Sequence, residues 1–141
     1  MEQGILLGML GLYAIEDIRR RHITLPYLII FGLLGIFLHV YLKDTSAASV
    51  LSGVAVGLGL IILSILTGGS IGMGDGFLFL VTGIFLGGSQ NISLLIVSLL
   101  YAALFSLGVL MLGKRNGKKK EIPFVPFVFL GYATMLLEVI V

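Results

Sequence analysis

The chain has 141 residues, 58% of them hydrophobic and 11% charged, with a formal net charge of +2 and a mean hydropathy of +1.16. A soluble globular domain carries about a quarter charged residues, so this chain has too little polar surface to cover itself and reads as an all-α membrane protein with several spans. Cysteine is absent, which excludes disulfides, thiolate metal sites and a cysteine nucleophile, and the longest polar stretch, residues 114–121, leaves no room for a separate soluble domain.

The first apolar stretch covers residues 4–16. Met1-Glu2-Gln3 before it lacks the basic flank of a secretory signal, and no small-residue cleavage site follows, so the segment is expected to stay as a span. It ends at Asp17, which is followed by Ile18 and then Arg19, Arg20 and Arg21. Spans two and three are expected over residues 25–42 and 49–67, on either side of a short loop holding Lys43 and Asp44. A glycine-rich break, residues 68–75, carries Asp75 at its end and leads into span four at residues 76–89. Span five covers residues 92–112, a basic loop follows, and span six runs over residues 122–141.

Six spans place both termini on one side of the membrane. Eight of the nine Lys and Arg residues fall in the loop after span one (Arg19, Arg20, Arg21) and the loop after span five (Lys114, Arg115, Lys118, Lys119, Lys120). Under the positive-inside rule both loops are cytoplasmic and both termini are outside. The break before Asp75 then lies on the cytoplasmic side as well, so Asp17 and Asp75 emerge on the same face.

A carboxylate at the edge of a bilayer is costly and is by default a functional-site hypothesis. Spans one and four add to it. About 13 apolar residues precede Asp17, roughly 20 Å of helix, against a hydrocarbon core of about 30 Å. Either the bilayer thins there or both helices run on past their aspartates and hold the carboxylates below the interface. Two neighbouring carboxylates in such a setting favour one kept protonated as acid beside a partner that acts as base.

Structural readings compete at each position. Asp17 also suits an ion pair with Arg20 or Arg21 one helical turn away, and Asp75 suits the N-cap of span four. Glu16 points about 100° away from Asp17 on a helix and is not expected to replace it. The glycine-rich stretch before Asp75 lacks the Gly-Lys-Ser/Thr ending of a phosphate loop and follows no strand; its glycines suit a sharp turn or a close approach instead. The spacings Gly4/Gly8, Gly53/Gly57 and Gly83/Gly87 read as helix-packing contacts. His22 and His39 stand far from other ligands, and the chain shows no metal-ligand cluster.

Three segments together resemble the type IV prepilin peptidase family, intramembrane aspartic peptidases that include the preflagellin peptidases. They are Asp17-Ile18-Arg19-Arg20-Arg21-His22-Ile23, then Gly72-Met73-Gly74-Asp75 with its flanks Ser70-Ile71 and Gly76, and finally Pro123-Phe124-Val125-Pro126-Phe127 after Glu121-Ile122. Thr24 stands where many members carry proline. Larger members have an N-terminal cytoplasmic domain with paired cysteines, associated with methylation; it is not seen in this sequence, so the resemblance implies cleavage alone.

The resemblance implies one membrane-embedded peptidase domain over residues 1–141, with Asp17 and Asp75 as the catalytic pair. It implies an endopeptidase of the cytoplasmic membrane that cuts the leader of prepilin-like proteins at the cytoplasmic face. Gly72 and Gly74 are expected to let Asp75 reach the site. Pro123 and Pro126 are expected to kink the start of span six and open room for the substrate helix. The partners implied are the prepilin-like substrate and the lipid bilayer; no metal, organic cofactor or nucleic acid is implied. A catalytically inactive membrane scaffold and a small proton-coupled transporter are the alternatives, and for a transporter the acidic residues would belong nearer the midplane.

Overall fold

A computed structural model describes residues 2–20, 25–42, 46–69, 72–113 and 124–140. Among these residues there are six α-helices and no strand: α1 (Glu2–Arg20), α2 (Leu25–Leu42), α3 (Ala47–Leu66), α4 (Met73–Leu86), α5 (Gly88–Met111) and α6 (Val125–Ile140). The six apolar blocks of the sequence thus become six helices. The segment from Arg21 to Thr24, with His22 in it, lies outside the described residues, as do Lys43, Asp44, Ser70, Ile71, residues 114–120, Glu121, Ile122 and Pro123.

Two helices, Ala47–Leu66 and Gly88–Met111, are long and apolar enough to cross a membrane by length and composition, yet only 17% and 11% of their apolar windows are buried within the chain. A core helix of a water-soluble protein would be mostly buried. These helices instead present Leu51, Leu58, Ile62 and Ile65 on α3, and Ile96, Leu100, Leu104 and Leu107 on α5, to the outside. A surface of that kind is matched by lipid.

The shortest helix holds the centre. α4 has 14 residues and packs against α1, α2, α3 and α5, while α6 sits between α1 and α5. Its residues Leu78, Phe79, Val81, Thr82 and Phe85 are all buried. α3 and α4 lie closest together because glycines remove the side chains between them. A Cβ on Gly53 would overlap the backbone of Gly83, one on Gly57 the backbone of Leu80, and one on Gly76 the side chain of Ile61. The expected packing role holds for Gly53, Gly57 and Gly83. It holds for Gly87 too, where a Cβ would overlap the Ser49 hydroxyl of α3; Gly87 also ends α4 with φ +80°, a conformation that glycine adopts at little cost. Gly4 and Gly8 have no neighbouring atom within 4 Å of where a Cβ would stand, so their contact role within the chain is not realised. Helical spacing puts two glycines on one face without saying whether that face is covered.

Polar side chains tie α4 to its neighbours on two sides. The Asn91 side chain, at the start of α5, donates through Nδ2 to Gly53 O and Phe79 O at 3.0 Å each, and its Oδ1 accepts from the Thr82 hydroxyl at 2.7 Å. α3, α4 and α5 are thereby joined at one residue with its main hydrogen-bonding capacity used, as burial requires. On the other side of α4, the His39 ring donates through Nε2 to Ile84 O. That carbonyl lies in the last turn of α4, where carbonyls lack an intrahelical partner.

Candidate active site

The site is built where the last turns of α1 meet the first turns of α4 and α6. One face of α1 carries Leu6, Met9, Leu10, Tyr13 and Ala14 into the core. Steps of three and four residues keep a helix position on one face, and the next such step is Asp17. Its side chain therefore turns into the bundle with the apolar residues rather than outward with Arg19 and Arg20, and it is only 8% exposed.

What Asp17 meets there is the start of α6. The Val125 amide donates to Asp17 Oδ2 at 3.0 Å in a buried hydrogen bond, and the Phe124 amide donates to the same carboxylate. Helix starts leave such amides without an intrahelical acceptor. Phe127 N and Val128 N already reach back to Phe124 O at 3.0 and 3.3 Å, and Pro126 has no N–H. The amides of Phe124 and Val125 need an outside acceptor, and Asp17 supplies it, 108 positions before Val125.

Pro126 is the second residue of α6. Proline in the first turn has the φ a helix needs and loses no intrahelical bond. It opens α6 rather than kinking it, which corrects the expected bend. Pro123, the other proline of that expectation, lies outside the described residues.

Asp75 is the third residue of α4, not its N-cap; that position belongs to Gly72, which makes no side-chain cap bond. This corrects the capping reading, although a carboxylate in the first turn still meets the positive end of the helix dipole. Gly72 has φ −63°, so its conformation is open to any residue. Space is what it gives: a Cβ there would stand 3.0 Å from Asp75 Oδ2. The sharp turning belongs to Gly68 and Gly69, with φ of +66° and +91°. Gly74 is half-buried in the first turn of α4, next to Asp75.

Both helices run past their aspartates, α1 on to Arg20 and α4 back to Met73. The two carboxylates come close enough for the charge of Asp17 to act on Asp75. Asp75 is half-buried and accepts no hydrogen bond from any described residue. The structure thus brings together Asp17, Asp75 and Gly72, with Pro126 one residue beyond the Asp17 donor. The sequence reading passed over the Phe124 and Val125 amides as a partner of Asp17, and the linking role of Asn91. The only local signal for the first was a proline at a helix start.

The model of the type IV leader peptidase family matches residues 4–111, a stretch that holds both aspartates and ends before α6. No curated protein and no solved structure matches the chain. With more than half its length matched, the chain belongs to the type IV leader peptidase family and is a protease of the leader-peptidase kind.

Proposed function

We propose that this member of the type IV leader peptidase family is an intramembrane aspartic endopeptidase whose catalytic pair is Asp17 and Asp75. The observation that carries the reading is their meeting at one end of the bundle, contributed by two helices far apart in sequence and near enough to feel each other's charge. Like charges so placed favour a single shared proton, the state that acid–base catalysis on a peptide bond needs.

The chemistry follows from that state. The ionised carboxylate takes a proton from water as the water oxygen bonds to the scissile carbonyl carbon. The protonated carboxyl gives its proton to the carbonyl oxygen. When the tetrahedral intermediate collapses, the C–N bond breaks and the leaving nitrogen takes the proton that the first carboxyl gained from water. The re-forming carbonyl oxygen returns a proton to the second, and the pair is reset.

The chain forms one membrane-embedded domain of six spans in this reading, with the site at the cytoplasmic face and both termini outside. The exposed Arg19 and Arg20 at the site end of α1 support that orientation. The substrate is a prepilin-like protein whose leader meets an apolar helix at the cut. A leader rich in Lys or Arg gains nothing from basic loops on the same face, so recognition rests on the apolar helix packing beside the spans. Pro126 and Gly72 serve by setting the start of α6 and clearing space at Asp75. Gly74 is assigned the same clearing role.

The test is reconstitution in liposomes with a prepilin-like substrate from the same genome, read by mass spectrometry of the products. One cut at the boundary of leader and apolar helix is expected. A stably folded enzyme that leaves several such substrates intact would return the reading to an inactive scaffold.

A further inference from the structure

We infer that the first amides of α6 make the two aspartates unequal: they hold Asp17 ionised as the base that draws the proton from water, and leave Asp75 as the protonated acid. The inference rests on the aspartic-peptidase reading above and adds the assignment of roles.

The asymmetry is one of donors. Val125 N–H, at 3.0 Å, and Phe124 N–H both end on the Asp17 carboxylate, and bonds of this kind favour the charged form. They are also the amides at the start of α6 that its own carbonyls do not satisfy. If Asp17 turned away or took a proton on Oδ2, the helix start would lose its acceptor. The amide bonds therefore favour the anion at Asp17 against the burial of its side chain, which disfavours charge. Asp75 has no such support: no described residue donates to it, and beside it stands Gly72, which has no side chain to offer. Both carboxylates face a helix N-terminus, Asp17 that of α6 and Asp75 that of α4, so the dipoles do not separate them. Direct amide donation does.

Other groups around Asp17 do not reverse the order. On α1 they are Tyr13 one turn below, Glu16 beside it, and Arg19 and Arg20 beyond; Tyr27 stands in the first turn of α2 and Asp75 in the first turn of α4. α6 contributes backbone amides at this point. An arginine close enough to act favours charge on either carboxylate, and Glu16 disfavours it on either. Because the proton is shared, the statement concerns which singly protonated form predominates.

Val125 is thus a positioning residue acting through its backbone, and its place in the helix gives a selective test. It is the first residue of α6, where proline is well tolerated. Val125→Pro removes the N–H while keeping the helix start; Val125→Ala trims the side chain and keeps the N–H. The chain has three aspartates, Asp17, Asp44 and Asp75. ¹³C labelling of aspartate carboxyls therefore gives three signals to follow against pH in nanodiscs, with Asp44→Asn removing one.

In the wild type the Asp17 signal is expected to complete its ionisation at lower pH than that of Asp75. In Val125→Pro the Asp17 transition and the acid limb of kcat/KM should both move to higher pH, while Val125→Ala keeps the wild-type pH dependence whatever its rate. Asp75 ionising first in the wild type would overturn the assignment, as would matching profiles for Val125→Pro and Val125→Ala. If Val125→Pro fails to fold, the wild-type titration order decides alone. Failure of the parent reading looks different: cleavage would persist in Asp17→Asn or Asp75→Asn, whatever order the signals follow.

Discussion

Two polar clusters lie inside this apolar bundle, and they are built on opposite plans. At Asn91 the donors and acceptors meet, with Gly53 O, Phe79 O and the Thr82 hydroxyl as partners. At the aspartate end, one carboxylate is held by two amides while the other has no hydrogen bond among the described residues and sits within reach of its neighbour's charge. A satisfied network fixes three helices relative to one another. A pair with unused capacity can still bind and release a proton. On the proposed function, the contrast separates a polar group kept for structure from one kept for chemistry, though both interrupt an apolar sequence in the same way.

Substitutions at the two clusters should therefore fail in different measurements. The largest effect is expected for Asp17→Asn and Asp75→Asn, each lowering cleavage by about 10²–10⁴-fold, the usual worth of general acid–base help. Gly72→Val comes next. Its side chain would press on Asp75 Oδ2, and misplacement of a reacting group by about 1 Å costs up to about 10²-fold in rate; thermal unfolding should change little. At the structural cluster the order reverses. Gly53→Leu drives a side chain into the Gly83 backbone and should cost about 1–3 kcal/mol or more in stability. Asn91→Leu leaves the Thr82 hydroxyl with one acceptor fewer and two carbonyls without a side-chain donor, for about 1–3 kcal/mol, read in a detergent unfolding titration. Cleavage per folded molecule should stay at the wild-type rate in Asn91→Leu. The smallest effect belongs to Gly4→Ala, which meets no atom and should change stability by less than about 0.5 kcal/mol.

The sequence made some of this legible and left the rest hidden for physical reasons. Helix number could be read because apolar blocks and polar breaks alternate strongly, and the structure keeps every block as a helix. The aspartates stood out because charge is rare in such a chain. Their sharing of an end followed from the alternation of spans, since the breaks after span one and before span four fall on one side, and that requires no contact information. Hidden were the facts that depend on what lies across a helix. Gly4/Gly8 and Gly53/Gly57 have the same spacing, yet only the second pair faces another backbone. Asn91 lay in a polar break between two apolar blocks, and only its placement opposite Gly53 and Phe79 turns it inward. The hold of α6 on Asp17 joins residues 108 positions apart, and helix periodicity has no reach over that distance. Pro126 illustrates the same limit, since one residue kinks a helix or opens it according to where the helix begins.

The most direct test compares four proteins in liposomes, wild type, Asp17→Asn, Asp75→Asn and Asn91→Leu, with cleavage of one prepilin-like substrate and thermal unfolding measured on the same samples. Both aspartate variants are expected to unfold like the wild type and cleave at least about 10²-fold more slowly, while Asn91→Leu unfolds early and cleaves normally per folded molecule. An aspartate variant that still cleaves at the wild-type rate would contradict the paired-carboxylate account.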